Sequence, residues 1–219
     1  MDPQASIAVV IHGDEGEGAS LAAVLQSAFR VTVASSPDDA FYTDAGGFQA
    51  VVLGLRTSVD RKIDRCHGLR EHGYVGGILA VCADAGEGAR LLDAGADDFL
   101  VTPVVPLELE TRLRACIRRA AARSRLRWGS LELDRLGRVA VIRDRSIALT
   151  DRECELLAFL IEAGGQVVTR PKLREQLLQR SEDRGSNLVE VHLSRLREKL
   201  GDNAAMIETV RGAGYRLRR

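Results

Sequence analysis

Five short apolar runs, each followed by a stretch with helical spacing, fill the first 122 residues. The runs are "SIAVVIH", "VTVAS", "FQAVVLGL", "GGILAVCA" and "DDFLV". They are apolar nearly throughout instead of alternating, which is the pattern of strands covered on both faces. The intervening stretches are "EGASLAAVLQSAF", "SPDDAFYTDAG" with Pro37 near its first turn, the more polar "KIDRCHGLREHG", the short "GARLLDAG" and the long "PLELETRLRACIRRAAARSR". Strand–helix alternation of this kind predicts an α/β unit, a five-stranded parallel sheet with helices on both faces. Ligands and chemistry in such sheets gather at the carboxyl ends of the strands. Those ends hold Ile11, His12, Gly54, Cys82 and Thr102.

The pattern changes after an arginine-rich segment, "AARSRLR", and we expect a linker at 123–127 and a second unit at 128–219. "WGSLELDRLGRVAVIRDRSIALT" alternates as antiparallel strands do. "TDRECELLAFLIEAG" opens a helix in which Thr150 and Glu153 form a capping box. "TRPKLREQLLQR" opens another, with Thr169 as cap and Pro171 in its first turn. "SNLVEVHLSRLREKLG" is a third, ending at Gly201, and "IETVRGAGYRLRR" is a hairpin turning at Gly212–Gly214. On the third helix Val189, Leu193, Leu196 and Leu200 share one stripe. Asn187, Val191, Ser194 and Glu198 lie opposite, flanked by Arg195 and Arg197. A solvated surface helix has the same look, but a helix that enters a DNA groove needs this division of faces.

A net charge of zero conceals an asymmetry. Residues 1–123 carry 12 Lys/Arg against 17 Asp/Glu, and residues 124–219 carry 19 against 14, so the second unit is the one suited to a polyanion, and charge alone leaves nucleic acid, an anionic membrane or an acidic protein open. No apolar run approaches a membrane span, and "MDPQAS" lacks the regions of a signal peptide, so the expected location is the cytoplasm. Cys66, Cys82, Cys116 and Cys154 have no metal-site spacing and read as core or free thiols. No nucleophile–base set or phosphate-binding Gly-rich loop points to an enzyme, and no cofactor or metal is expected.

Two resemblances sharpen this reading. "AGADDFLVTPVVPLELETRLRACIRR" resembles the end of a receiver domain from two-component signalling, which implies a flavodoxin-like fold for residues 1–122. In that family an acidic pair after the first strand holds Mg²⁺, an aspartate ending the third strand takes the phosphoryl group, and a hydroxyl and a lysine on later strands bind the phosphate. Those positions fall on Ile11 and His12, on Gly54, on Cys82 and on Thr102. Glycine has no carboxylate, isoleucine and neutral imidazole are poor Mg²⁺ ligands, and threonine supplies no ammonium. The resemblance therefore implies a receiver whose phosphorylation site is degenerate. Asp14 offers one nearby carboxylate. The family pairs two receivers through the fourth helix, fifth strand and fifth helix, and the matching charges Asp97, Asp98, Glu108, Arg112 and Arg119 are present. The usual basic partner of Glu108 falls on Gly88.

"LTDRECELLAFL", "VVTRPKL", "VEVHLSRLREKLG" and "TVRGAGYRL" resemble, in order and spacing, the OmpR/PhoB winged-helix domain over residues 128–219. The resemblance implies a third helix in the major groove and a wing at the adjacent minor groove. Asn187, His192, Ser194, Arg195, Arg197, Thr209 and Arg211 match DNA-contact positions. Arg195 is the candidate for a base contact, Val191 for a thymine methyl, and Arg170 and Lys172 for phosphates. The loop "QRSEDRG" matches a segment that touches RNA polymerase. The implied protein is a sequence-specific transcriptional regulator, a constitutive homodimer on promoter DNA that works without phosphorylation. The alternatives are a ligand- or redox-gated regulator that uses the degenerate pocket, and a protein-interaction module that has lost DNA binding.

Overall fold

The structure is a computed structural model that describes residues 8–12, 15–34, 48–54, 57–178 and 187–218. The chain divides into two units, 1–123 and 124–219. The helix expected over "SPDDAFYTDAG", the loop "QRSEDRG" and Asp14 lie outside the described residues.

In the first unit, β1 (Ala8–His12), β2 (Arg30–Ala34), β3 (Ala50–Leu53), β4 (Gly77–Cys82) and β5 (Asp98–Val101) form one sheet in the order β2-β1-β3-β4-β5. Every pairing in it is parallel. The helices are α1 (Glu15–Leu25), α2 (Val59–Glu71), α3 (Ala85–Asp93) and α4 (Pro106–Arg123). Successive side chains of a strand point to opposite faces, so each central strand feeds two cores. Ala50, Val52, Leu79 and Val81 pack with Leu25 of α1 and Leu109, Leu113 and Cys116 of α4. Val51, Leu53, Ile78, Ala80 and Cys82 pack with Cys66 and Leu69 of α2 and Leu91 of α3.

In the second unit, β6 (Arg125–Trp128), β7 (Leu131–Asp134), β8 (Val139–Ile142) and β9 (Arg145–Ala148) make an antiparallel sheet. Residues 123–127 are accordingly not a linker. Helix α4 ends at Arg123, the boundary falls there, and β6 begins two residues later because Leu126 and Trp128 pack on the second core. Helices α5 (Asp151–Glu162), α6 (Arg170–Leu178) and α7 (Leu188–Leu200) follow. The Thr150–Glu153 capping box is formed, and Gly201 ends α7 at φ 59°. Thr169 is a strand residue: β10 (Val168–Thr169) joins β12 (Gly214–Leu217), which also pairs with β11 (Ile207–Val210). A Cβ on Gly214 would lie 2.0 Å from the Val168 carbonyl oxygen, so only glycine lets these strands approach.

Candidate nucleic-acid interface

Helix α7 buries Leu188, Val189, Leu193, Leu196 and Leu200. The core stripe read from the sequence thus holds, and Asn187, Val191, Ser194, Arg195 and Glu198 are exposed opposite it. Val191 is 44% exposed, an apolar side chain alone on a polar face, as a thymine-methyl contact requires. Arg195 makes no ion pair among the described residues. The Ser194 hydroxyl donates to the Glu198 carboxylate at 3.4 Å. His192 is half-buried and does not share the outer face.

Arg197 is placed differently from Arg195. Its Nε and Nη2 both donate to the Ile207 carbonyl, at 3.1 and 2.7 Å, and Nη2 also donates to the Thr209 hydroxyl at 2.8 Å. The guanidinium carbon lies 5.7 Å from the centre of the Tyr215 ring. Arg170, at the start of α6, lies 5.2 Å from the same ring and pairs with Glu190 at 3.2 Å. Lys172 and the wing-tip residue Arg211 are exposed. Behind this face, Lys199 reaches the Glu153 carboxylate at 2.6 Å and the Ala148 carbonyl at 3.1 Å. Burial pushes the Glu153 carboxyl up, but the Lys199 ammonium and the Thr150 N–H and hydroxyl more than offset this, so it titrates below an ordinary glutamate.

The strand ends of the first unit form a second cluster. His12 pairs with Leu53, Leu53 with Ala80 and Cys82 with Val101. Ile11, His12, Gly54, Cys82 and Thr102 therefore share the carboxyl edge of adjacent strands. Cys82 is fully buried and its thiol donates to the Leu100 carbonyl at 3.3 Å. Burial pushes that thiol up, partly offset by Lys62. Lys62 is the residue that sequence reasoning missed. It is 1% exposed, donates to the Val81 carbonyl at 2.8 Å and sits 3.9 Å from Glu87. Glu87 in turn accepts the Ala83 N–H at 3.1 Å. The available signal was spacing, because Lys62, Arg65, Cys66 and Leu69 lie on the one buried stripe of α2. No metal-binding cluster of His, Cys, Asp or Glu occurs among the described residues.

A family model described as "Transcriptional regulatory protein, C terminal" matches residues 144–217. The response regulator protein PmrA of Pseudomonas aeruginosa is 35% identical over 189 residues, covering 84% of each chain. The transcriptional regulatory protein QseB of Escherichia coli O157:H7 is 36% identical over 177 residues, 78% of each chain. The chain belongs to the OmpR/PhoB family of response regulators. Two solved structures complete the comparison. DrrB, an OmpR/PhoB homologue of Thermotoga maritima, aligns over 97% of this chain and 99% of its own at 26% identity and a TM-score of 0.42. The RstA DNA-binding domain of Klebsiella pneumoniae, solved with the RstA box, aligns over 42% of this chain and 95% of its own at 33% identity and a TM-score of 0.38. As an OmpR/PhoB regulator the chain consists of a receiver domain and a C-terminal winged-helix DNA-binding domain, and it is a transcriptional regulator. No helix among the described residues is long and apolar enough to cross a membrane.

The receiver charges of this OmpR/PhoB regulator are engaged within one chain. Arg112 bonds Glu108 at 2.8 Å and Asp98 at 3.1 Å, and Arg119 bonds Asp98 at 3.4 Å. Asp97 is held more deeply than the other four. Its side chain is 7% exposed and accepts from Arg70 at 3.0 Å, Arg123 at 2.6 Å and the Ile78 N–H at 2.8 Å. These bonds tie the Asp97 carboxylate to α2, α4 and β4. A Cβ on Gly88 would lie 2.3 Å from the Phe99 ring, so the aromatic side chain occupies the space where a basic side chain would begin.

Proposed function

We propose that this regulator binds promoter DNA sequence-specifically as a constitutive homodimer, without phosphorylation, on direct repeats with half-sites about 10 bp apart. The exposed row of Asn187, Val191, Ser194 and Arg195 above a fully buried stripe carries the DNA reading. The match of residues 144–217 to the C-terminal domain of transcriptional regulatory proteins supports the same reading. Asn187, Val191, Ser194 and Arg195 read the major groove, Arg170 and Lys172 hold phosphates, and Arg211 on the wing meets the minor groove. RNA polymerase is the partner at the promoter.

Phosphorylation independence rests on the strand ends. Gly54 offers no carboxylate, and the buried Lys62 amine at the neighbouring strand is bonded to the Val81 carbonyl. The dimer face is formed by α3, β5 and α4 with Asp98, Glu108, Arg112 and Arg119. The exposed apolar side chains Leu92, Val101 and Leu107 on the same elements, and Val105 just before α4, add to it. Redox gating through Cys82 is disfavoured: the thiol is fully buried, bonded to the Leu100 carbonyl and pushed up by burial, which disfavours the reactive thiolate.

The test is a mobility-shift assay on duplex selected from a random pool by the full chain, repeated after treatment with a small phosphodonor and Mg²⁺. The proposal expects one discrete complex, unchanged affinity and no mass increment. A phosphoryl adduct that raises affinity would overturn phosphorylation independence. Failure to enrich any sequence would overturn the DNA reading.

A further inference from the structure

We infer that Arg197 is a positioning residue that sets the wing against the recognition helix, and that it is not a phosphate contact. The inference rests on the DNA-binding reading above. Arg197 projects from the third turn of α7 toward β11, not toward the exposed face. Three hydrogen bonds fix it there: two to the Ile207 carbonyl and one to the Thr209 hydroxyl. Ile207 opens β11, and Thr209 is the residue of β11 that pairs with Tyr215 of β12. One guanidinium therefore holds the first strand of the wing by backbone and by side chain.

Tyr215 is 4% exposed and extends this arrangement. Arg197 at 5.7 Å and Arg170 at 5.2 Å both lie near its ring. Tyr215 also pairs with Val168 of β10, the strand that leads directly into α6 and Arg170. The start of α6, the recognition helix and the wing thus meet at one buried ring, with a cation contributed by each helix. Cations near an aromatic face are attracted by its quadrupole, more strongly when desolvated. A planar fork can bond the Ile207 carbonyl twice and still reach Thr209, whereas an ammonium is a single point of charge.

Two substitutions separate positioning from phosphate contact. Arg197→Gln removes the charge; Arg197→Lys keeps it and removes the fork. The probe is duplex selected from a random pool by the wild-type full chain, with affinity measured across a salt series. Losing one phosphate contact lowers the slope of log K against log salt by about 0.9. The positioning role expects both variants to bind roughly tenfold more weakly, with slopes equal to wild type. It also expects both to exchange the amide protons of 207–210 faster in the absence of DNA. Arg211→Gln serves as the control whose slope falls. The inference is overturned if Arg197→Lys binds like wild type while Arg197→Gln loses about 0.9 in slope. It is equally overturned if wing exchange is unchanged in both variants. Should the wild-type chain enrich no sequence, the DNA reading itself fails, while the exchange measurement still decides what Arg197 does for the wing.

Discussion

Lys199→Met perturbs the joint behind the recognition helix and gives a result of defined sign. Glu153 is 1% exposed, and Lys199 approaches it at 2.6 Å while also bonding the Ala148 carbonyl. Methionine keeps most of the volume of the lysine stem but removes the ammonium, leaving a buried carboxylate with only the Thr150 N–H, at 2.8 Å, and the capping geometry to hold it. Stranding one member of a buried pair costs about 3–5 kcal/mol. Lys199 itself is 36% exposed, so part of its interaction is already screened and the expected cost is about 2–3 kcal/mol. For a unit of this size that lowers the midpoint of thermal unfolding by roughly 10–20 °C. Trp128 is the only tryptophan and packs on the core of the second unit, so its fluorescence reports this unit alone. The pH dependence supplies the sharper test. The folded Glu153 carboxyl lies below its unfolded value, so its stabilisation is present above the unfolded pKa and is lost as pH falls through the folded one. The gap between wild type and Lys199→Met should therefore be widest near neutral pH and close on acidification. A gap below about 1 kcal/mol, or one that stays constant down to the pH at which wild type unfolds, would refute the reasoning.

Other substitutions test the outer faces. Arg195→Ala should cost about 1–3 kcal/mol at one base position and relax preference there; uniform weakening over all sequences would make Arg195 a phosphate contact. Glu198→Lys should raise affinity for non-specific duplex and steepen its salt dependence, and an unchanged slope would put Glu198 outside the groove. Arg112→Asp should lower self-association measured by sedimentation, and adding Asp98→Arg should restore part of it; a wild type that sediments as a monomer at micromolar concentration would end the dimer proposal.

What could be read beforehand was what local spacing dictates. The stripe of Val189, Leu193, Leu196 and Leu200 and the Thr150–Glu153 box need only neighbours three or four residues away, and both are formed. The direction of Arg197 depends on the Ile207 carbonyl ten residues downstream, which no helical periodicity encodes. Strand β10 was missed because two residues carry no period, and it exists only through the pairing of Val168 with Tyr215. Lys62 lay on a legible stripe, but its charge argued for solvent. Only the fold shows that the Val81 carbonyl receives it. Asp97 matched an outer-face position by motif and proved to be held inside by Arg70, Arg123 and a backbone N–H.

The close approach at Gly214 bears on retargeting this regulator to new operators. Arg211, Gly212 and Ala213 form the exposed tip of the wing, and a Cβ at Gly212 would meet nothing within 4 Å. Two residues on, at Gly214, the added atom would enter the Val168 carbonyl, and φ there is 151°. Diversity introduced at 211 and 213 changes what the wing presents to DNA at little cost to the fold. A library that extends to 214 breaks the β10–β12 pairing and moves the start of α6, so its members lose binding for reasons unrelated to the sequence they were meant to read. The boundary between variable and fixed positions in this wing is one residue wide.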